Sequence, residues 1–287
     1  MKIGIVFPQA EIGNDPAGIK DFAQAAEALG YHHVLLYDHV LGVDPGRPGG
    51  WRGPYDKDTA FHEVFVTLGF LAAHTTRIEL AIGVVILPQR QTALVAKQAA
   101  ELDLLSRGRL RLGVGTGWNA VEYEALGQDF TQRGPREAEQ VGLIRDLWTH
   151  DAIDFAGTWD RVPHAGINPR PARRIPIWFG GSAEPVLQRM ARLGDGWMTN
   201  LDPTDDARAA LARLRGYCEA EGRDVAAFGI DAQIGQPADG LDTLRAHAAG
   251  WRALGATHAS VRSMGAGLSG PRPHIKALSQ YKDVLEF

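Results

Sequence analysis

An acid and a histidine stand side by side in the run "YDHV", as Asp38 and His39, where a short β-branched run ends. A histidine next to an acid can serve as general acid or base near neutral pH, because imidazole titrates in that range. The pair can also be structural, with Asp38 capping the strand end or forming a turn. A Gly- and Pro-rich stretch, residues 41–59, follows directly, and connections of this length commonly carry function. We therefore expect Asp38 and His39 to be catalytic.

Glycines occupy every second position in the middle of "RLRLGVGTGW", residues 109–118. A dinucleotide-binding turn needs G-x-G-x-x-G, with an acidic residue about 20 positions later at the end of another strand. Here Trp118 stands in place of the third glycine, and the run "RGPREAEQVG" further on is polar and helical. The sequence also has no G-x-x-x-x-G-K-[ST] phosphate loop. These patterns argue against a Rossmann-type nucleotide site.

Two interpretations of this glycine run remain open, and they are compatible. Glycine at a strand end lets a flat or bulky group approach the backbone closely. Alternatively, the glycines form a tight turn before a helix that begins near Asn119, a good N-cap residue. Glu122 stands three residues later and completes a capping-box pattern.

Short β-branched runs alternate with longer amphipathic segments along the chain. The predicted strands cover residues 2–8, 33–37, 78–87, 109–115, 175–181, 196–200, 228–233 and 258–263. The predicted helices cover residues 17–30, 61–74, 92–105, 133–149, 183–193, 204–221, 240–253 and 271–284. Strands separated by helices pair in parallel, and about eight such units predict a (β/α)8 TIM barrel. An open, doubly wound sheet is the alternative.

Two insertions interrupt the alternation. Residues 41–59 follow the second strand, contain Trp51 and Tyr55, and would lie at the carboxyl ends of the barrel strands, where such barrels build active sites. Residues 150–174 precede the fifth strand and read as a hairpin that turns at Gly157. Because the sequence shows no linker, we predict one domain over residues 1–287.

Composition narrows the functional class. A formal net charge of −4 argues against a general nucleic-acid or membrane-surface binder. A single cysteine, Cys218, excludes an intramolecular disulfide and a cysteine-cluster metal site. We expect no metal, because H-x-H or H-E-x-x-H spacing is absent among His32, His33, His39, His62, His74 and His164. The first run, "MKIGIVFPQA", is too short for a signal peptide or membrane helix, so we expect a cytoplasmic enzyme.

Several runs resemble the luciferase-like monooxygenase superfamily, most closely its small, single-domain branch of F420-dependent oxidoreductases. They are "YDHV", "AIGVVILPQRQTALVAKQAAELDLLSRGRL", "LGVGTGWNAVEYEALG" and "IPIWFGGSAEPVLQRMARLGDGW". The resemblance implies a bacterial-luciferase-like (β/α)8 barrel that holds the deazaflavin F420, or FMN, at the carboxyl ends of its strands. It also implies a homodimer. F420 members pass hydride between C5 of the deazaflavin and an organic substrate, whereas reduced FMN reacts with O2.

The resemblance also implies roles for individual residues. Asp38 and His39 would lie over the flavin ring and the substrate. The family commonly has a strand bulge with a non-prolyl cis peptide, here at Gly83–Val84 or Val84–Val85. The residues that would contact the cofactor are Gly83, Val84 and Val85 at the ring face, Gly115, Thr116 and Gly117 at the ribityl chain or ring edge, and Gly180, Gly181, Ser182 and Ala183 at the phosphate. The last group also opens a predicted helix, whose N-terminus attracts anions.

One position departs from a branch of the family. Relatives that oxidise glucose 6-phosphate carry a catalytic acid after the Gly-Thr-Gly turn, where this chain has Trp118, which cannot exchange protons. Trp118 suits an apolar or aromatic substrate together with Trp51 and Tyr55, or it packs beneath the long loop. We predict F420-dependent hydride transfer to or from a small organic substrate. The alternatives are an FMN-dependent monooxygenase, served by a separate flavin reductase, and a noncatalytic flavin-binding protein.

The acidic tail of F420 would favour a cationic groove. Candidate residues are Arg170, Arg173 and Arg174 before the fifth strand and Arg47 and Arg52 in the long loop. Arginine is abundant throughout the chain, so these residues can equally belong to the solvated surface.

Overall fold

The helices and strands alternate as the sequence predicts. The computed structural model describes residues 1–235 and 240–287. The strands are β1 Lys2–Val6, β2 His33–Leu36, β3 Glu79–Ile82, β4 Val85–Ile86, β5 Leu110–Gly115, β6 Ile153–Ala156, β7 Arg161–Ala165, β8 Ile177–Gly180, β9 Gly196–Thr199, β10 Gly229–Ile234 and β11 His258–Val261. The helices are α1 Pro16–Ala28, α2 Val64–His74, α3 Thr92–Leu105, α4 Ala120–Ala125, α5 Arg133–Thr149, α6 Glu184–Leu193, α7 Asp205–Ala220, α8 Gly240–Ala253 and α9 Pro271–Leu285.

The parallel strands close into a ring. β1 pairs with β2 on one side and with β11 on the other, and the order β2-β3-β5-β8-β9-β10-β11 completes the circle. The strand predicted over residues 78–87 is in fact two short strands, β3 and β4, separated at Gly83 and Val84. Together they form one of the eight barrel strands, and this confirms the predicted (β/α)8 barrel.

The helices bury one face against the outside of the barrel. In α1, Ile19, Phe22, Ala23 and Ala26 recur at helical spacing and are all buried. Asp15 begins this helix by accepting a hydrogen bond from the Ala17 N–H at 3.0 Å. A separate apolar cluster lies inside the ring of strands and consists of Val6, Leu35, Ala81, Trp178 and Met198.

The insertion before β8 forms the predicted hairpin. β6 and β7 pair antiparallel outside the barrel. The Glu139 carboxylate of α5 accepts hydrogen bonds from the main-chain N–H groups of Thr158, Trp159 and Asp160, which hold the hairpin turn against the helix layer.

The arginines before β8 correct one expectation. Arg170, Arg173 and Arg174 form ion pairs with Asp151, Asp103 and Asp195, respectively. They precede β8 and therefore lie at the amino ends of the strands, opposite the predicted cofactor site. These arginines do not form the cationic groove considered for the tail of F420. Arg47 and Arg52 are exposed in the long loop and remain candidates.

Helices α2 and α3 carry unusual exposed apolar side chains. Val66 in α2 is 74% exposed, and Leu94 and Leu105 in α3 are 51% and 62% exposed. α2 is strongly apolar but spans only 11 residues. Within the described ranges, none of the helices combines the length and the hydropathy needed to cross a bilayer. The cytoplasmic location stays a prediction.

Candidate active site

Aromatic side chains surround His39 at the carboxyl ends of the barrel strands. The ring centroid of His39 lies 5.2 Å from Tyr55, 4.8 Å from Phe61 and 5.7 Å from Trp118. Trp51 stacks on Trp118 at 5.7 Å, with 28° between the ring planes. The structure therefore brings the three predicted pocket residues together around the predicted catalytic histidine. Phe61 joins them, a residue that sequence patterns did not single out, although it lies just after the long loop.

A cavity of about 170 Å³ opens between these rings, next to Asn119 and the start of the long loop. Trp118 remains 43% exposed, so it is a wall of this cavity rather than a core residue. Besides these aromatic rings, the lining includes the polar residues Asp56, Lys57, Thr59 and Asn119, so the cavity suits a small aromatic group that also carries polar atoms.

The carboxylate that faces His39 belongs to Glu122 in α4. Glu122 Oε2 lies 3.6 Å from His39 Nδ1, and the carboxylate is almost completely buried. Its Oε1 accepts hydrogen bonds from the main-chain N–H groups of Val40 and Leu41. Burial alone would raise the pKa of Glu122, but His39 and these N–H donors hold that pKa below its usual value. Glu122 is thus a fixed negative charge beside the imidazole.

Sequence reasoning placed Glu122 in a capping box, and the structure corrects this. The Asn119 side chain caps α4 by accepting from the N–H groups of Val121 and Glu122, as predicted. The Glu122 carboxylate does not return to Asn119 but crosses to the residues after β2. Local spacing could not reveal this contact, because it joins positions about 80 residues apart.

Asp38 faces away from the histidine that follows it. Its carboxylate accepts from Arg90 Nη2 at 2.7 Å and from the Ile86 N–H at 2.9 Å, and the residue is 3% exposed. These bonds join the end of β2 to β4 and to the turn that follows. The geometry suits Asp38 to holding the strand ends in place, while Glu122 supplies the acid beside His39.

Val84 occupies the space beside the predicted cofactor glycines. A non-prolyl cis peptide joins Gly83 to Val84, the first of the two predicted positions. A Cβ atom on Gly115 would lie 2.4 Å from a methyl carbon of Val84, and one on Gly180 would lie 2.8 Å from the other. These glycines therefore make room for the protein's own side chain, whether or not a cofactor also approaches. Val85 is fully buried in the core outside the barrel.

Thr116 and Gly117 connect the end of β5 to Trp118, one of the aromatic residues around His39. The Thr116 carbonyl accepts from the Tyr123 hydroxyl at 2.7 Å, and Gly117 has a φ of 61°. A Cβ atom at Gly117 would lie 2.8 Å from a methyl carbon of Ile86. Left-handed backbone and lack of space both require glycine here, so the turn that presents Trp118 is fixed.

The turn at residues 180–183 fits a phosphate group. It runs into α6, where Ala183 is the N-cap residue and offers no side-chain cap. Pro185 has no N–H and the Val186 N–H donates to the Ala183 carbonyl, so an anion at this helix start would meet the N–H groups of residues 181–184. Gly181 has a φ of 106°, and its carbonyl accepts from Trp197 Nε1 at 2.7 Å. The carboxylate of Glu184, at the start of α6, is engaged by Arg213 at 3.1 Å, which offsets its repulsion of an anion.

Comparison with known sequences identifies relatives over most of the chain. A family model described as "Luciferase-like monooxygenase" matches residues 1–255. An uncharacterised protein of Mycobacterium tuberculosis is 36% identical over 223 residues, which are 76% of this chain and 77% of the relative. Pyrimidine monooxygenase RutA of Allorhizobium ampelinum is 31% identical over 243 residues, 79% of this chain and 65% of the relative. The F420-dependent hydroxymycolic acid dehydrogenase of M. tuberculosis is 30% identical over 237 residues, 81% of this chain and 61% of the relative.

Solved structures resemble the whole chain. The monooxygenase RslO1 from Streptomyces bottropensis matches with a TM-score of 0.81 and 21% identity, over 100% of this chain and 98% of that one. At this identity the likeness concerns the fold alone. The structural match also covers the chain after residue 255, where the match to the family model ends.

Proposed function

Since this chain belongs to the luciferase-like monooxygenase family, we propose that it is an F420-dependent oxidoreductase that acts on an apolar or aromatic organic substrate. Named relatives include an F420-dependent dehydrogenase, an FMNH2-dependent monooxygenase and a pyrimidine monooxygenase. F420, when bound, supplies a ring carbon that gives or accepts hydride. The observation that carries the proposal is His39, which lines a cavity with aromatic walls at the carboxyl ends of the strands and has the buried Glu122 carboxylate behind it.

His39 handles the proton that accompanies hydride transfer. Its Nδ1 faces Glu122, so Nε2 is the nitrogen that holds or releases a proton at the substrate. The Glu122 carboxylate stabilises the protonated ring and fixes its orientation. Asp38 acts indirectly, because its bonds to Arg90 and Ile86 hold the backbone that carries His39.

The proposed cofactor contacts come from residues at the carboxyl ends of the barrel strands. We assign the phosphate to the N–H groups of Gly181, Ser182 and Ala183 at the start of α6. The ring would rest near Val84 and the turn at Thr116 and Gly117, which leads to Trp118. Trp51, Tyr55 and Trp118 then exclude water from the substrate side and favour an apolar group over a sugar phosphate.

FMN-dependent monooxygenation is the second candidate. One relative is named an FMNH2-dependent dimethylsulfone monooxygenase, and another, RutA, is named a pyrimidine monooxygenase. In that case a separate flavin reductase would deliver the reduced cofactor. The same turn before α6 would hold the FMN phosphate, so the site's geometry does not distinguish the two cofactors.

Oligomeric state and domain organisation complete the proposal. We propose a homodimer through α2 and α3, because the exposed Val66, Leu94 and Leu105 form apolar surface that a second copy would cover. We also propose a single domain over residues 1–287. The last helix packs on α1, and Lys282 in it donates to the Leu29 carbonyl at 2.7 Å.

Equilibrium binding tests the cofactor assignment. Purified protein is titrated with F420 and, separately, with FMN, followed by cofactor fluorescence. We expect F420 to bind at least about tenfold more tightly than FMN. Reduced F420 is then mixed in single-turnover experiments with a panel of aromatic and aliphatic ketones, enones and quinones. Tight FMN binding with oxygen consumption and no F420 binding would replace the proposal with the monooxygenase, and binding of neither cofactor would overturn both.

A further inference from the structure

The amino ends of the strands, opposite the active site, enclose a polar network. His33 is fully buried, and its Nε2 lies 2.7 Å from Ser260 Oγ and 3.2 Å from Asp231. Arg111 donates to Asp231 at 2.8 Å and packs 4.3 Å above the ring of Trp178. These groups partner one another and fill the interior of the barrel at this end.

Three potential metal ligands converge beside this network. His32 precedes β2, Glu79 begins β3 and His258 begins β11, so the barrel brings them together from distant parts of the chain. One ligand atom of each residue lies within 4.8 Å of the others. The two imidazole rings meet edge to face, with centroids 5.5 Å apart. We call these three residues the amino-end trio.

Each member of the trio has an atom available for an ion. Among the described residues, Nδ1 of His32 is buried without a hydrogen-bond partner. Thr257 Oγ1 donates to the main chain of β10 and lies 2.8 Å from Nδ1 of His258. We therefore assign the proton of His258 to Nδ1, which leaves a lone pair on Nε2. Glu79 accepts from Arg111 through Oε1, so Oε2 is the oxygen we assign to an ion.

We propose that the amino-end trio binds one divalent transition-metal ion of the Zn²⁺ type. Two imidazoles, one carboxylate and a water molecule form a known four-coordinate zinc set. Bonds of about 2.0–2.1 Å place such ligands about 3.4 Å apart, so the side chains must close by about 1–1.5 Å on the ion. This is feasible because His32 lies outside the strands and the Glu79 side chain is 25% exposed. Thr257 acts as an outer partner that orients His258, as is usual for metal-binding histidines.

The charges around the trio are balanced. Arg111 and Lys2 are the cations near these histidines, and Glu79 and Asp231 are the carboxylates. The dication therefore enters surroundings of about zero net charge rather than a cationic pocket. Histidine spacing predicted no metal, because spacing within one segment could not detect ligands that come from three distant parts of the chain. The bound ion would hold β2, β3 and β11 together at the amino end.

Metal titration tests the proposal. Untagged protein is stripped with a chelator and titrated with Zn²⁺ in competition with a chromophoric chelator. We expect one Zn²⁺ per chain, and an affinity at least about tenfold weaker in His32→Ala and in Glu79→Gln. His164→Ala, which changes an exposed hairpin histidine, should bind Zn²⁺ like the wild type. Circular dichroism and F420 affinity check that each variant is folded.

Thermal unfolding gives a second readout that does not depend on activity. Excess Zn²⁺ should raise the Tm of the wild type and of His164→Ala, because an ion that binds only the folded state stabilises it, and should raise that of His32→Ala much less. Absence of stoichiometric Zn²⁺ binding to the wild type would overturn the proposal. Equal Zn²⁺ affinity in the wild type, His32→Ala and Glu79→Gln would also overturn it.

Discussion

Both ends of the barrel place a histidine beside a carboxylate, but the two pairs differ in access. His39 faces Glu122 through Nδ1 and borders a cavity of about 170 Å³. His33, at the amino end, is fully buried, with Nε2 against Ser260 and Asp231. An imidazole can exchange a proton with a substrate only when one ring nitrogen is within its reach. The carboxyl end is thus suited to organic chemistry, whereas the network around His33 maintains the fold.

Buried arginines have a similar structural task at both ends. Arg90 holds Asp38 near the active site, and Arg111 holds Asp231 in the barrel interior. Neither carboxylate is then available as a proton donor. A histidine next to an acid in the sequence is therefore a weaker guide than the partner each carboxylate has in the fold.

Breaking the polar network around His33, Asp231 and Arg111 should have the largest effect, and the quantity it should change is the free energy of unfolding. Arg111→Met removes the guanidinium partner of the buried Asp231 carboxylate and should lower the free energy of unfolding by about 3–5 kcal/mol. Urea denaturation measures this change. Arg174→Met, which removes an exposed partner of Asp195, is the control and should cost about 1 kcal/mol or less. Similar losses in the two variants would contradict the structural role assigned to the network.

Removing the active-site imidazole should affect rate rather than stability. His39→Ala should slow single-turnover hydride transfer about 10²–10³-fold, because the proton donor or acceptor is lost. The affinity for F420 should change less than about threefold, since the proposed phosphate contacts are at residues 180–183. Stopped-flow absorbance measures both quantities, with His164→Ala as the control. A normal rate in His39→Ala would remove this residue from the catalytic machinery.

Replacing Glu122 by Gln tests whether its charge acts on His39 or whether the side chain only helps to pack the fold. Glu122→Gln keeps an acceptor for the N–H groups of Val40 and Leu41 but loses the charge. We expect turnover to fall about tenfold, about 1.4 kcal/mol in the barrier. The free energy of unfolding should change less than the rate, because the acceptor for the two N–H groups is kept. A purely structural role would lower stability and leave the turnover of the folded variant unchanged.

Glu27, at the amino end of the barrel, should affect the free energy of unfolding rather than the reaction rate. Burial alone would raise the pKa of Glu27, but main-chain N–H groups of Arg77, Ile78 and Thr76 lower that pKa from 4.5 to about 2. The stabilisation is therefore complete above pH 4.5 and is lost as the pH falls through about 2. Glu27→Gln should cost about 0.5–1 kcal/mol at pH 7, since the group is partly exposed, and the difference from wild type should vanish near the acid limit. Denaturation at several pH values measures the difference in free energy of unfolding between Glu27→Gln and wild type, with the exposed Glu219→Gln as the control. A difference that does not depend on pH would contradict a role for the charge of Glu27.

The sequence predicted the barrel well because its signals are local. α3 and α5 begin and end at the predicted residues, since apolar periodicity and turn residues act within a few positions. The break between β3 and β4 was placed at Gly83–Val84 only with help from the family resemblance. The aromatic pocket residues Trp51 and Tyr55 could also be predicted, because they lie in a long loop rich in Gly and Pro.

The rest depended on contacts between distant residues. Glu122 fitted a local capping rule, and only the closed barrel shows that it reaches Val40 and Leu41. Gly115 indicated room for a flat ligand, yet the fold places Val84 there. Arg173 suggested a cationic groove until its ion pair with Asp103 was known. In each case the residue type was informative, but its partner was set by tertiary packing.

Hydrogen–deuterium exchange with and without F420 tests most directly whether the cofactor occupies the carboxyl end of the barrel. We expect F420 to slow exchange in residues 83–86, 113–118 and 180–184, and to leave the amino-end trio, His32, Glu79 and His258, unchanged. Protection confined to the trio, or no protection at the strands' carboxyl ends at saturating F420, would contradict this cofactor site.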